Sequence, residues 1–492
     1  MILGIDVGSS GVKAVLLDAA GRPRFQGDEP HRLSTPHPGW AEEDPIAWWR
    51  GVLRVAKRAV AACGGERLRG LGICTMTPAV ILLDRSGAPV RPSMQQNDAR
   101  SAAELERCRA RYADDDLFPR AGSVWNQQMV PQRLMWIREH EPDAWRRAVR
   151  VTGAVEYMTH RLTGAVFAEA NWALESGMWD VRGDGWNGDL LERLELATLA
   201  LPSVKRAHEP AGELLNAEAI DAGLPRGLPV IAGSADHMAA ALGVGLRRPG
   251  DVVLKFGGGG DVLYVMDAFT PLRELYIDFH DIPGLYVLNG CMTTSGSLAA
   301  WFKEHFRPGQ SFAELDREAA AVPAGADGLI ALPYFLGEKT PINDPYARGT
   351  IVGLTLSHTS AHLFRAVLEG VSYAFRHHVE VIESAGHRID RVYVADGGAR
   401  SELWRTITAS VLNREVCLLE GGQAASAYGT AVLAGVPQGL WTWTDFPVPR
   451  ISAVTAPDPG SVAVYEDLYA AYRDIYRRLR DLYPRLSERP AR

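Results

Sequence analysis

The chain opens on a largely apolar run from Ile2 to Val7 that carries Asp6, a Gly-Ser-Ser-Gly step, and a second largely apolar run from Val12 to Leu17 that carries Lys13. Two short apolar runs around a glycine turn predict a pair of strands, closed here by a loop over residues 18–21. The same cadence returns over residues 251–267, DVVLKFGGGGDVLYVMD. Helical text follows each pair, at residues 45–64 and again at 361–386, where Leu363, Val367, Val371, Val379 and Ile382 recur near one face. Each half then brings a strand that ends in a special turn, RGLGICTMTP at 69–78 and RVYVADGGARS at 391–401. The chain therefore reads as a duplicated α/β protein with a boundary near residue 245, giving domains 1–245 and 246–492. Near the end, PDPGS (457–461) reads as a linker, Tyr465 to Tyr483 as a charged amphipathic helix, and SERPAR as a frayed tail.

Length supports the duplication, because 492 residues exceed what one hydrophobic core holds. With 47% apolar and 23% charged residues, the composition is that of a soluble globular protein. A net charge of −7 supplies no positive field for phosphate backbones or anionic lipid, so neither nucleic acid nor a membrane is expected as a partner. The five cysteines are scattered without CxxC or metal-ligand spacing, as in a reducing compartment. The N-terminus lacks the basic region of a signal peptide, and no run of about 18 apolar residues occurs, so the expected location is cytoplasmic.

Chemistry concentrates in the turns. Asp6 precedes Gly8, Ser9, Ser10 and Gly11, with Lys13 close behind. Small residues let backbone N–H groups approach an anion, serines add donors, and a carboxylate holds Mg²⁺ through its waters, so the segment suits a polyphosphate. Taken singly it reads better as an ordinary hairpin turn with an exposed Asp. The second turn, Gly257 to Gly260, offers another phosphate cradle. A third, Asp396-Gly397-Gly398-Ala399-Arg400-Ser401, ends a strand, with Ser401 placed to cap the following helix. No GxxxxGK[ST] loop is present, so a nucleotide needs another architecture. His358 and His362 share a helical spacing but lack a third ligand, and Asp114 to Asp116 reads as a solvated charge run.

Eight segments in order, among them GWAEEDPIAWW, GICTMTPAVILLD, NDARS, LPYFLGEKTPINDPYARGTIVGL, ADGGARSELWR and ASAYGTAVLAG, resemble the FGGY-type carbohydrate kinases over residues 1 to about 435. The chain is most similar to their xylulose kinase branch. That resemblance implies a two-lobed actin-like ATPase fold, a duplicated ribonuclease-H-like domain with a cleft between the lobes. It also implies ATP-dependent phosphorylation of a small open-chain sugar, D-xylulose to D-xylulose 5-phosphate first, with ATP and Mg²⁺ required. Asp236 would be the general base, in a Ser-Ala-Asp-His segment where the family usually has Gly-Gly-Asp followed by Asn or a comparable polar residue. Read without the family, Asp236 is equally the cap of a helix beginning at His237.

By the same resemblance, Asp6 and Asp236 are the metal residues, and Gly8, Ser9, Ser10 and Lys13 line the phosphates. Gly257, Gly258 and Gly259 form the second phosphate turn, Glu338 and Lys339 belong to an ATP-side loop, and Gly397, Gly398, Ala399 and Ser401 to the adenosine side. Thr77, Pro78, Asn97, Asp98 and His237 fall at sugar contacts, with an Asx-turn as the local alternative for Asn97-Asp98. A homodimer, common in similar enzymes, is the assembly to test.

The chain departs from the pattern at Met76-Thr77-Pro78-Ala79, where such kinases have Gln-Met-His-Gly, and at Gln96, where they have Trp. Altered polar contacts redirect substrates, which keeps other ketopentoses, polyols, aldonates and glycerol open. The turn at 257–260 also lacks the usual threonine and serine. Two rivals come from other classes: an actin- or heat-shock-like ATPase, and a catalytically silent sugar-binding regulator.

Overall fold

A computed structural model describes residues 1–37, 39–420 and 424–487. The chain divides into two compact units. One comprises residues 1–247, 277–286 and 424–448; the other comprises 248–276, 287–423 and 449 onward.

In the first unit the opening runs form β1 (Ile2–Gly8) and β2 (Gly11–Leu17), an antiparallel pair extended by β3 (Pro23–Pro30). Helix α1 (Pro45–Ala61) returns the chain to β4 (Gly70–Thr75), which runs parallel to β1. Further on come α2 (Ala170–Glu175), β5 (Pro229–Ile231), β6 (Ser234–Ala235) and α3 (Asp236–Gly243). The sheet order is Pro210–Glu213, β5, β4, β1, β2, β3, with β6 also parallel to β4. Along β1, Leu3, Ile5 and Val7 pack with Trp48, Trp49 and Val52 of α1, whereas Ile2 belongs to a second cluster on the opposite face. A sheet covered on both faces needs apolar residues on both, which explains an opening run that is apolar but for Asp6 and Gly4.

The second unit repeats the order. It contains β7 (Asp251–Phe256), β8 (Gly260–Met266), β9 (Tyr286–Met292), α4 (Ser360–Ser384), β10 (Arg391–Ala395), α5 (Glu402–Leu412) and β11 (Val416–Leu419). Its strands run β9, β8, β7, β10, β11 and Ile451–Thr455, antiparallel at β7–β8 and parallel at β7–β10. Each sheet thus ends on an antiparallel edge strand, and the duplication seen as cadence in the sequence is one of topology. This is the actin-like ATPase fold.

Helix α6 (Ala425–Gly435), late in sequence, belongs to the first unit and lies on the face of β1 opposite α1. Its approach is set by glycines. A Cβ on Gly4 would stand 2.1 Å from Ala427 O, one on Gly243 would stand 2.0 Å from Ala425 O, and one on Gly429 would stand 1.8 Å from Ala239 O. Two local expectations change. The PDPGS segment is no linker: Asp458 caps a helix over Pro459–Leu479, with Pro459 at its first position. The SERPAR tail lies, past residue 487, outside the described residues.

Candidate functional site

Strand register brings the first unit's chemistry together. Asp6 pairs with Cys74 across β1–β4, and Cys74 pairs with Ser234 across β4–β6. All three strands are parallel, so Asp6 and Ser234 flank Cys74 with Cα atoms about 10 Å apart. Asp236 follows two residues on, at the carboxyl edge where α/β sheets present ligands. Asp6 is 6% exposed, and beside it the β1–β2 turn leaves Ser9 and Ser10 exposed and Lys13 half-buried.

Helix α3 begins at Asp236 itself, not at His237. The N-cap is Ala235, no side chain caps the helix, and the Asp236 carboxylate sits in the first turn with 34% of its side chain exposed. A carboxylate there is favoured by the helix dipole and open to a ligand. His237 is held on three sides: Nδ1 lies 3.4 Å from Asp236 Oδ1, and Nε2 lies 3.2 Å from Asp278 Oδ2 and 3.6 Å from Glu175 Oε1. Burial opposes a charged imidazolium, yet the Asp278 and Glu175 carboxylates hold the His237 pKa well above its ordinary value. Burial, reinforced by the charge of Asp278, pushes Glu175 well up. Sequence reasoning missed both partners, which lie on α2 and in the 277–286 segment.

Behind Asp236, Ser234 Oγ donates to Asp281 at 2.8 Å, and burial pushes the Asp281 carboxyl up to about 7. Burial likewise pushes Glu169 up to about 8, where Oε2 accepts the Asn171 and Trp172 N–H groups and caps α2. A carboxyl with a raised folded pKa binds its proton more tightly in the native state, so stability falls as pH rises from about 4.5 towards 8. Glu169→Gln keeps an acceptor at the cap and carries no proton to lose. Its melting temperature relative to the parent protein should therefore rise between pH 5.5 and pH 9, as read by calorimetry at the two pH values.

Among the sugar-contact candidates, Pro78 lies against Arg133, which sequence reasoning also missed. This fully buried guanidinium donates to Pro78 O at 2.8 Å and to Gln128 O, while burial holds its pKa down to about 10. Gln128 Nε2 donates to Gln96 Oε1 at 2.8 Å, and Gln127 Nε2 donates to the carbonyl of exposed Asn97. Thr77 is buried, and Trp172 Nε1 donates to Ala79 O. Asp98 forms the Asx-turn that its sequence allows, accepting Arg100 N at 3.1 Å. Its oxygens also take Ala41 N and two donors from the Arg100 guanidinium, which stacks over Trp40 at 3.6 Å. Asp98 therefore shapes the loop that presents Gln96 and Asn97.

In the second unit the glycine turn and the third turn end the neighbouring parallel strands β7 and β10. Carbonyls of Gly257 and Gly258 accept N–H groups of Ser295, Gly296 and Ser297, and Ser297 Oγ donates to Gly258 O at 2.7 Å. Hydroxyl groups thus return to the glycine-only turn from the segment 293–297. Gly259 lies where a Cβ would stand 2.7 Å from Met292 O. The buried Glu338 accepts the Thr293 and Lys339 N–H groups, both at 2.8 Å, so it braces the loop bearing Lys339; burial pushes its carboxyl up to about 8. Gly397 is open, Gly398 packs against Trp404 and Phe256, Ala399 is buried, and Ser401 Oγ caps α5 by accepting Trp404 N at 3.0 Å.

Residues 1–243 match the N-terminal domain of the FGGY family of carbohydrate kinases, and residues 266–437 match its C-terminal domain. The chain belongs to the FGGY family of carbohydrate kinases. As a member it is an ATP-dependent sugar kinase. It is 31% identical over 438 residues to a xylulose kinase of Escherichia coli (strain K12), covering 89% of this chain and 90% of that one. A xylulose kinase of Klebsiella pneumoniae is 30% identical over 442 residues, with 89% and 90% covered. The crystal structure of xylulose kinase from Rhodospirillum rubrum superposes with a TM-score of 0.90 at 40% identity, over 98% of this chain and 99% of that one. Among the described residues, no helix of this FGGY kinase is long and apolar enough to cross a membrane.

Proposed function

We propose that this kinase transfers the γ-phosphoryl group of Mg²⁺-bound ATP to D-xylulose, giving D-xylulose 5-phosphate, with Asp236 as general base. The observation that carries the reading is the part-exposed Asp236 carboxylate at the start of α3, on the strand edge shared with Asp6. In the transfer the sugar hydroxyl oxygen bonds to the γ-phosphorus, the bond from that phosphorus to ADP breaks, and the hydroxyl proton passes to Asp236. Asp6 fits a hard cation: its carboxylate is nearly buried beside an exposed hydroxyl-bearing turn, and Asp236 lies at the same carboxyl edge of the sheet. Bound there, Mg²⁺ would neutralise charge on the transferring phosphate. Gly8, Ser9, Ser10 and Lys13 would then hold phosphate oxygens. The second unit's turns at Gly257 to Gly259 and Gly397 to Ser401, with Lys339, would take the nucleotide.

Carboxylates narrow the acceptor. Asp236 and Asp278 face His237, and Arg133 spends donors on backbone carbonyls. Such surroundings favour a neutral polyhydroxy chain over an aldonate. A coupled ADP-release assay over D-xylulose, D-ribulose, pentitols, tetritols, gluconate and glycerol tests this. D-Xylulose should show the highest kcat/KM, by about tenfold or more, with phosphate at C5 by NMR. Preference for gluconate or glycerol overturns the assignment, and ADP release indifferent to sugar points to an ATPase.

A further inference from the structure

We infer that His237 is a positioning residue: it ties the Asp236 carboxylate to the buried Asp278 and to Glu175 and so fixes the base in the orientation that meets the sugar hydroxyl. The inference rests on Asp236 being the base. The geometry has three parts. His237 Nδ1 faces Asp236 Oδ1 at 3.4 Å, so the contact uses one carboxylate oxygen and leaves the side chain 34% exposed towards a substrate. Nε2 faces Asp278 Oδ2 at 3.2 Å and Glu175 Oε1 at 3.6 Å, so the ring is gripped at its far end. The anchors are themselves fixed: Asp278 has no exposed side-chain surface, and Phe279 beside it exchanges two hydrogen bonds with Asn171 of α2, the helix that ends at Glu175.

An imidazole is long enough to span two carboxylates through opposite nitrogens, whereas the side chain of Asn reaches one of them only. In the first turn of α3, Asp236 has no capping bond to fix its rotamer. Histidine supplies that restraint from the adjacent position. A loosely held base spends much of its time misaimed, and a displacement of about 1 Å in a reacting group costs about 10²-fold in rate.

The test is a double-mutant cycle of Asp236→Asn and His237→Ala, with His237→Asn and Asp278→Asn alongside and melting temperatures as the folding control. His237→Ala should lower kcat by about 10- to 100-fold while the sugar's KM changes by less than about threefold. Asp278→Asn, a change one residue further from the chemistry, should lower kcat with the same KM pattern but by less. In the Asp236→Asn background, His237→Ala should cost almost nothing further, because no base remains to be aimed. A raised KM with unchanged kcat would make His237 a sugar contact and overturn the inference. So would an equal loss of kcat in both backgrounds. Should Asp236→Asn itself keep the parent rate, it is the base assignment that fails, a result distinct from both.

Discussion

Asp236→Asn should lower kcat by about 10² to 10⁴-fold, with the sugar's KM within about threefold of the parent value. The substitution removes one capacity and little else. An amide has nearly the shape of a carboxylate, and its oxygen still accepts from His237 Nδ1, so the start of α3 keeps its form. What it cannot do is take a proton from an attacking hydroxyl. Single-turnover phosphorylation measured beside sugar binding by calorimetry separates the two effects. A variant that binds sugar and phosphorylates it at the parent rate would place the base elsewhere. Loss of binding with chemistry intact would make Asp236 a recognition residue.

Gly429→Val should destabilise the protein by about 3 kcal/mol and depress activity beyond the loss of folded enzyme. A Cβ at this position would stand 1.8 Å from Ala239 O and 2.7 Å from Gly243 N. Both are backbone atoms of α3 or its end, with no rotamer to swing aside, so relief requires α3 and α6 to separate. Asp236 is the first residue of α3 and would move with it. Denaturant titration with kcat measured on the folded fraction checks this. Gly188→Ala is the contrast: that glycine opens a surface helix, a Cβ there meets nothing within 4 Å, and the change should be neutral or slightly stabilising. Equal stability of the two variants would sink the packing argument.

What the sequence reveals and what it hides divide along the range of the interactions. The hairpins, the turns and α4 rest on local patterns: an apolar run, a glycine step, a recurring helical face. Those patterns are sufficient because neighbouring residues decide them. Ser401 as a cap and Asp98 in its turn were legible for the same reason, each bonding within three residues. Arg133, Glu175 and Asp278 were not. Arg133 reaches back 55 residues to Pro78, and Asp278 lies 41 residues beyond His237, distances over which no local signal survives. PDPGS misled because proline and glycine mark a helix start as readily as a linker, and only the Asp458 cap separates the two.

Helix α6 carries a consequence for how the protein is made. As the chain leaves the ribosome, the strand face that Ala427 and Ala431 cover must wait until more than four hundred residues have emerged. Until then Ile2, Val15 and Leu17 lack the part of their cover that α6 supplies, so a nascent chain cut short of residue 424 would carry an adhesive surface and call on chaperones. Cutting the gene at the end of the first continuous stretch would thus yield a sticky fragment, whereas supplying residues 424–448 in trans should restore its solubility.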